Sequence, residues 1–512
     1  MSRVVPERHF GPGLGLVEVG ALVARGERIL GETSGRTWWI VAAGALVVGG
    51  AAAGLHNPIS GAWFWHVANG ALVRRDGLGG SARYLARAGS PLDLRSWLFD
   101  LGLFQLYREW GLAALAIAGA VAGAAIGLLL LVAMRRPRRT HPLLLMGVGG
   151  LGLAALAPLL GDPSAALLAL LGVALLIALS CAGRSRWGVA ATVAVVLVWT
   201  NAQADAGVAV LVIWGWIAVS NWDRSRVGGG APPTWWLIPL TGLAAIASPK
   251  VAGAVLELPL SLGMQGEHPL LAAWSSIGFH PWSARVAEIA AVLLLFAYWQ
   301  AGARLHRADA YLGLITAALA LLWANYLPWF LVVATVQSCQ YLSLAWLPGG
   351  PSGGGGTAPA PGWPWSRPAA ALPLLAVVAL ALSISVATVR GAGPAGRVQA
   401  QLPVRAAGWL ASHPAPGAWF TTPAFGDYLA TRFPAGGHLL CVDDPLPLAG
   451  SGLAACEALT VLNAGALSNL DRLRAELAVL PRSAPATSFL LAEGWRIRYR
   501  DPTTVVLAPR RL

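Results

Sequence analysis

The sequence predicts an all-α polytopic membrane domain of about eleven transmembrane helices, followed by a small extracytoplasmic C-terminal α/β domain. Three observations lead there. Hydrophobic residues make up 56% of the 512 residues, charged residues 12%, and mean hydropathy is +0.62. A soluble domain carries roughly 25% charged residues, so most of this surface must face lipid. Apolar runs of the ~20 residues needed to cross a bilayer recur along the chain. Between them, arginine clusters fall on alternate sides.

The elements read in order as follows. Residues 1–37 carry charges and no apolar core, which predicts a cytoplasmic N-terminal segment and no cleavable signal peptide. Val17–Leu30 is mildly amphipathic and suits the membrane surface. The transmembrane domain is expected over 38–392, its first span near 38–55. A polar stretch at 56–110 follows, expected as a long first outer loop, and a loop of this length is expected to carry function. Further spans are expected near 111–134, 143–160, 165–182, 188–204, 207–222, 235–249, 283–303, 310–325, 327–347 and 368–390, with the pair around Leu327 open to being one bent helix. Gly119, Gly123 and Gly127 have the small-xxx-small spacing of close helix packing. Pro348–Pro368 is rich in Gly and Pro and predicts a flexible cytoplasmic linker.

Charge sets the orientation. With the N-terminus inside, Arg135, Arg136, Arg138 and Arg139 fall inside, as do the clusters at Arg184/Arg186, Arg224/Arg226 and Arg304/Arg307, and Arg367. The short outer turns at 161–164 and 201–205 carry no Arg or Lys. The stretches 56–110, 250–282 and 393–512 are then extracytoplasmic. The net charge of +13 is explained by these topogenic arginines, so no nucleic-acid partner is expected.

The tail, 393–512, changes composition. Residues 400–412 suit a helix, Ala418–Thr422 a strand, Phe425–Phe433 a helix and His438–Val442 a strand. Leu470, Leu473, Leu477 and Leu480 line one side of a helix expected over Leu467–Leu480. Trp495–Arg500 and Thr503–Ala508 suit a terminal hairpin. Cys441 and Cys456 lie in this tail, where an extracytoplasmic setting permits a disulfide, paired or free being equally open. Cys181 and Cys339 fall in apolar helices and read as small core residues.

No P-loop, HExxH, GxSxG or zinc spacing occurs, and no cofactor is expected; outer Asp residues could bind a divalent cation, but no ligand spacing supports one. The informative stretch is 56–110. It holds Trp63-Phe64-Trp65-His66, Asn69-Gly70, Arg74-Arg75-Asp76 and Arg95-Ser96-Trp97-Leu98-Phe99-Asp100. Aromatics at a water–lipid boundary can hold a lipid tail or stack on a sugar, though they also serve as plain interfacial anchors. Arginines clamp phosphate. A carboxylate can act as general base toward a hydroxyl.

In order along the chain, these motifs resemble a bacterial family of multi-spanning proteins. That family is related to the GT-C superfamily of polyprenyl-phosphate-sugar-dependent glycosyltransferases, of the protein-mannosyltransferase type. The 56–110 stretch resembles "D-x-W-W-H-x-x-x-G … D-P … E-W-L". Trp199-Thr200-Asn201-Ala202-Gln203 resembles "W-x-N-x-H", Ser248-Pro249 resembles "N-P", and Trp274-Ser275-Ser276 resembles "E-W-x-S". In the tail, Pro403–Ala406, Phe425–Leu429 and Val442-Asp443-Asp444 resemble "P-x-x-A", "W-G-G-Y-L" and "I-D-G-R". His66, Asp76, Trp97, Asn201 and Trp274 are kept. Ala62, Ser96 and Ala273 stand where the pattern has acids, Gln203 replaces His, Asn325 replaces Arg, and Asp444-Pro445 replaces Gly-Arg.

The resemblance implies a GT-C-like fold in the bacterial cytoplasmic membrane and a sugar moved from a polyprenyl-phosphate donor on the outer face. Asp76 or Asp100 then stands in as base, Arg74, Arg75 or Arg95 holds phosphate, and Trp63, Trp65 and Trp97 line the lipid and sugar path. His66, Asn201 and Trp274 complete the substrate contacts. With three acids lost, a second expectation is a non-catalytic relative that binds lipid-linked glycan or serves an envelope complex. A transporter is a third, but the spans are mainly Ala, Leu and Val, without the polar mid-membrane helices transport needs.

Overall fold

A computed structural model of the chain describes residues 39–55, 60–85, 94, 96–134, 142–182, 185–203, 206–227, 235–247, 249, 282–346, 394–415, 417–434, 436, 438–439, 441, 456 and 474–510. The N-terminal segment, the Gly/Pro-rich linker and the span expected at 368–390 lie outside the described residues.

The apolar runs form helices. They are α1 (Trp39–Leu55), α2 (Gly61–Asp76), α3 (Trp97–Trp110), α4 (Leu112–Met134), α5 (Pro142–Leu156), α6 (Pro163–Ala182), α7 (Arg186–Ala202), α8 (Ala206–Val227), α9 (Leu237–Ile246), α10 (Trp282–Ala301), α11 (Arg307–Leu322) and α12 (Leu327–Trp346). Five stretches are long and apolar enough to cross a membrane: Leu112–Met134, Leu144–Gly161, Pro163–Ala182, Arg285–Arg304 and Ala324–Leu344. The expected eleven spans are therefore not confirmed. Trp39–Leu55, Arg186–Ala202, Gly207–Asp223 and Leu237–Ile246 are apolar but shorter. Length decides this: a ten-residue helix rises roughly 15 Å, half a bilayer core.

The pair around Leu327 is two helices. Trp323 leaves the helical region (φ −140°, ψ 117°), and a short 3-10 turn, Ala324–Tyr326, leads into α12. The Ala324–Leu344 stretch is the centre of the bundle, with 89% of its apolar window buried, against 28% for Arg285–Arg304 on the periphery. Polar side chains join this centre to its neighbours. Tyr341 donates to Asp309 (2.6 Å), Gln337 Nε2 donates to the Asp309 carbonyl (3.0 Å), and Tyr298 bonds Gln337. In hydrocarbon such bonds act as glue between helices.

Between α1 and α4 the glue is the absence of side chains. A Cβ on Gly54 would lie 1.9 Å from the carbonyl oxygen of Gly119, and one on Gly123 would lie 2.0 Å from that of Gly50. The two backbones therefore touch.

The long loop expected at 56–110 is corrected: α2 and α3 occupy much of it, because its polar residues sit on helices that pack against each other and the tail. Both helices share one apolar core with the tail domain, from Phe64 and Leu72 to Phe420, Leu429 and Val506. The tail comprises α13 (Pro394–Gln401), α14 (Val404–Ser412), β1 (Ala418–Thr421), α15 (Pro423–Arg432), β2 (Ala475–Pro481), α16 (Pro485–Ala492), β3 (Arg496–Arg500) and β4 (Thr504–Ala508). The sheet order is β1-β2-β4-β3, with β1 parallel to β2 and the other pairs antiparallel. The β3–β4 turn is closed by Asp501, whose Oδ1 accepts from the backbone of Thr503 (2.9 Å) and Thr504 (2.7 Å). Burial alone would raise this carboxyl's pKa, but these bonds and those from the Thr503 and Tyr499 hydroxyls outweigh it and hold it low.

One expectation for the tail is corrected here. The helix expected over Leu467–Leu480 does not extend to its C-terminal end, where Ala475–Pro481 is the strand β2. Leu477, Ala478, Val479 and Leu480 are all buried because this strand is internal to the sheet and covered on both faces. Such a continuous apolar run mimics a helix by spacing. Of the strand expected at 438–442, residues 440 and 442 lie outside the described residues; Leu439 makes single bridges to Trp419 and to Leu85. Through that residue the sheet edge is carried toward the α2–α3 connection, with Leu439 N donating to Tyr84 O at 2.9 Å.

Cys441 and Cys456 are joined by a disulfide with a Cα–Cα distance of 5.8 Å. It closes a 15-residue separation, a loop length for which cross-linking contributes about 3 kcal/mol.

Candidate functional site

The site grows from two helical repeats. On α2, Trp63, His66, Asn69, Gly70 and Val73 recur at three- and four-residue spacing and so share one face. On α3, Ser96 occupies the position just before the first turn, its hydroxyl turned to Asp100, which follows one turn later on the same side. A Cβ at Gly70 would lie 2.1 Å from the Asp100 carbonyl oxygen. Gly70 therefore sets the approach of α3 and brings Asp100 onto the polar face of α2.

There the Asp100 carboxylate is fully buried. Oδ1 accepts from His66 Nδ1 at 2.5 Å and from Ser96 Oγ at 3.0 Å. Oδ2 accepts from Asn69 Nδ2 at 2.5 Å and lies 3.2 Å from Ser96 Oγ. A buried carboxylate survives in its charged form only with such donors around it, and its place in the first turn of α3 adds the favourable helix dipole. The His66 ring is further fixed edge-on between Trp65 (centroids 4.8 Å) and Phe99 (4.9 Å).

Neighbouring residues extend the cluster. Trp97 Nε1 donates to Asn201 Oδ1 at 2.9 Å, and Asn201 Nδ2 donates to the carbonyls of Leu197 (2.9 Å) and Ala247 (3.2 Å). These bonds tie α3, α7 and the end of α9 together. Trp63 Nε1 donates to Gly161 O at 2.9 Å, while Trp65 is buried. From the tail, α15 leans on the same helix: Thr431 donates to Phe64 O at 2.7 Å, and Tyr428 meets the Phe64 ring edge-on at 5.0 Å.

Asp76 is elsewhere. It lies ten residues beyond His66 on α2, roughly 15 Å along the axis. Arg75 holds it through two bonds of 3.0 Å, and Arg83 adds a contact at 3.4 Å. The hydrogen bond from Arg75 pulls this carboxyl below the usual carboxylate range. Arg75 is thereby committed to Asp76, whereas Arg74 is exposed. Arg95 and Trp274 lie outside the described residues. Among the described residues no three His, Cys, Asp or Glu side chains gather as metal ligands would.

The structure therefore brings His66, Asp100, Trp97 and Asn201 into one region and leaves Asp76, Arg74 and Arg75 apart. It adds Asn69 and Ser96, which the sequence reading did not select as site residues. The signal for both was present: Asn69 stands three residues after His66, and Ser96 stands four before Asp100.

Neither a scan against protein-family models nor a search of curated proteins returns a match. Among solved structures the chain is similar to the oligosaccharyltransferase of Archaeoglobus fulgidus, solved with a tethered acceptor peptide. The TM-score is 0.46 and the identity 10%, over 92% of this chain and 74% of that one.

Proposed function

We propose that this protein is an integral-membrane glycosyltransferase of the GT-C type, moving a sugar from a polyprenyl-phosphate carrier on the outer face of the membrane. In this reading it spans a bacterial cytoplasmic membrane, with the N-terminus inside and the tail domain outside. The observation that carries the reading is the buried Asp100 with its three donors. Its position relative to the motif pattern is telling: the acid that the pattern has at position 96 is a serine here, and a carboxylate reappears one helical turn on, at Asp100. The serine hydroxyl then serves that carboxylate. A buried polar cluster flanked by tryptophans suits a lipid-phosphate sugar. Arg74, exposed near the end of α2, and Arg95, next to Ser96 in the chain, are the candidate phosphate ligands, and Trp63, Trp65 and Trp97 flank the path.

A second reading is a non-catalytic relative that binds lipid-linked glycan or serves an envelope complex. What favours it is the neutral residue at all three of positions 62, 96 and 273.

Mass spectrometry of lipids retained through purification in mild detergent tests the first reading. The expected result is a polyprenyl-phosphate sugar in stoichiometric amount. Bulk phospholipid alone, with added carriers also not retained, would reject a lipid-linked ligand.

A further inference from the structure

We propose that the general base of the transfer is His66, acting through Nε2, and that Asp100 is its positioning residue; this rests on the glycosyltransferase reading above. The two carboxylates are poor candidates on geometry. Asp100 is fully buried and both its oxygens already accept hydrogen bonds. Asp76 is held by Arg75 and Arg83 and lies away from the cluster. His66 is also buried, at 6% exposure, but it has a second ring nitrogen beside the one bonded to Asp100. Its Nδ1 faces the Asp100 carboxylate at 2.5 Å, and a carboxylate can only accept, so Nδ1 carries the proton. That leaves Nε2 with its lone pair, and among the described residues Nε2 has no hydrogen-bond partner.

A carboxylate behind an imidazole fixes the tautomer and stabilises the imidazolium that forms when the far nitrogen takes a proton. Trp65 and Phe99 clamp the ring so that it cannot rotate away. Asn69 and Ser96 keep Asp100 aimed. The step balances as follows. The acceptor hydroxyl oxygen forms a bond to the anomeric carbon of the sugar. The bond from that carbon to the phosphate oxygen breaks, and its electron pair leaves with the polyprenyl phosphate. The hydroxyl proton moves to Nε2 and is later released to water.

His66→Asn separates this role from a structural one. An asparagine amide at position 66 keeps a donor near the place of Nδ1, and so keeps the bond to Asp100, but it has nothing at the place of Nε2. The assay uses the purified full chain with native membrane lipid extract as acceptor. The donors are undecaprenyl phosphates bearing tritiated mannose, glucose or arabinose. The expected result is transfer by the wild type, a loss of ~10²–10⁴-fold in His66→Asn, and an unchanged melting temperature. A second variant, His66→Gln, lacks the donor at Nδ1 and is expected to lose both transfer and stability. Retained transfer in His66→Asn would overturn the role of His66 and leave the glycosyltransferase reading standing. No transfer by the wild type from any of the three donors would overturn the reading itself, and the proposal with it.

Discussion

Asp100→Ala is expected to destabilise the protein by about 3–5 kcal/mol, the cost of leaving three buried donors without their acceptor. The carboxylate is fully buried and serves three side chains at once. Without it, His66 Nδ1, Asn69 Nδ2 and the Ser96 hydroxyl face one another and an apolar shell. No water reaches the position to replace the lost acceptor unless α2 and α3 part, and Gly70 holds them nearly in backbone contact. Asn69→Ala removes only one donor and leaves Asp100 with the other two, so about 1–2 kcal/mol is expected. Thermal unfolding in mild detergent, with the three proteins side by side, reads the order: wild type, then Asn69→Ala, then Asp100→Ala. Because α2 also carries the tail domain through Phe64, Thr431 and Tyr428, the tail should loosen in the same transition.

The second large effect is expected at Gly123. Gly123→Leu would place a branched side chain where even a Cβ lies 2.0 Å from the Gly50 carbonyl oxygen. Backbone cannot yield as a flexible side chain does, so α1 must move away from α4. That forfeits the contacts along Gly50, Gly54, Gly119 and Gly127 together, and about 3 kcal/mol is expected. Gly147→Leu is the control: it lies on an apolar helix of the same bundle, and nothing stands within 4 Å of an added Cβ. Protease sensitivity and melting temperature should change in the first variant and stay near wild type in the second. Equal behaviour of the two would show that α1 is not packed on α4 as described.

How much of this was legible in the sequence depends on how local the signal was. Apolar length located the helices of the bundle outside 56–110, because burying twenty apolar residues in lipid depends on little else; α2 and α3, too polar for that signal, were read as loop. It could not set the number of spans, since α9 and α7 differ from α6 only in length. The glycine spacing on α4 announced close packing, but its partner was not named. Gly50 and Gly54 on α1 carry the same spacing and complete the contact. In the tail, the β3–β4 hairpin was readable from its turn and alternation. The strand β2 was not, because Leu477 and Leu480 are buried by a sheet assembled from residues sixty positions earlier as well as from its neighbours.

The site shows the same division. His66 and Asp100 were recognisable as candidate chemistry, yet their pairing across 34 residues depends on the fold. Asp76 and Asp100 look equivalent as letters. The structure separates them, one held by surface arginines and the other enclosed by α2 and α3. What distinguishes them in the sequence is modest: arginine precedes the first, and a serine stands one turn before the second.

The most direct test of the central idea, that a lipid-linked sugar is held at the junction of α2 and α3, is photo-crosslinking. Purified protein in nanodiscs is irradiated with a diazirine-bearing undecaprenyl phosphate, and the labelled peptides are mapped by mass spectrometry. The account predicts label on the segments containing Trp63–His66 and Trp97, displaced by excess undecaprenyl phosphate and not by phosphatidylglycerol. Label spread along the outward faces of α4 and α10, and displaced equally by both lipids, would contradict it.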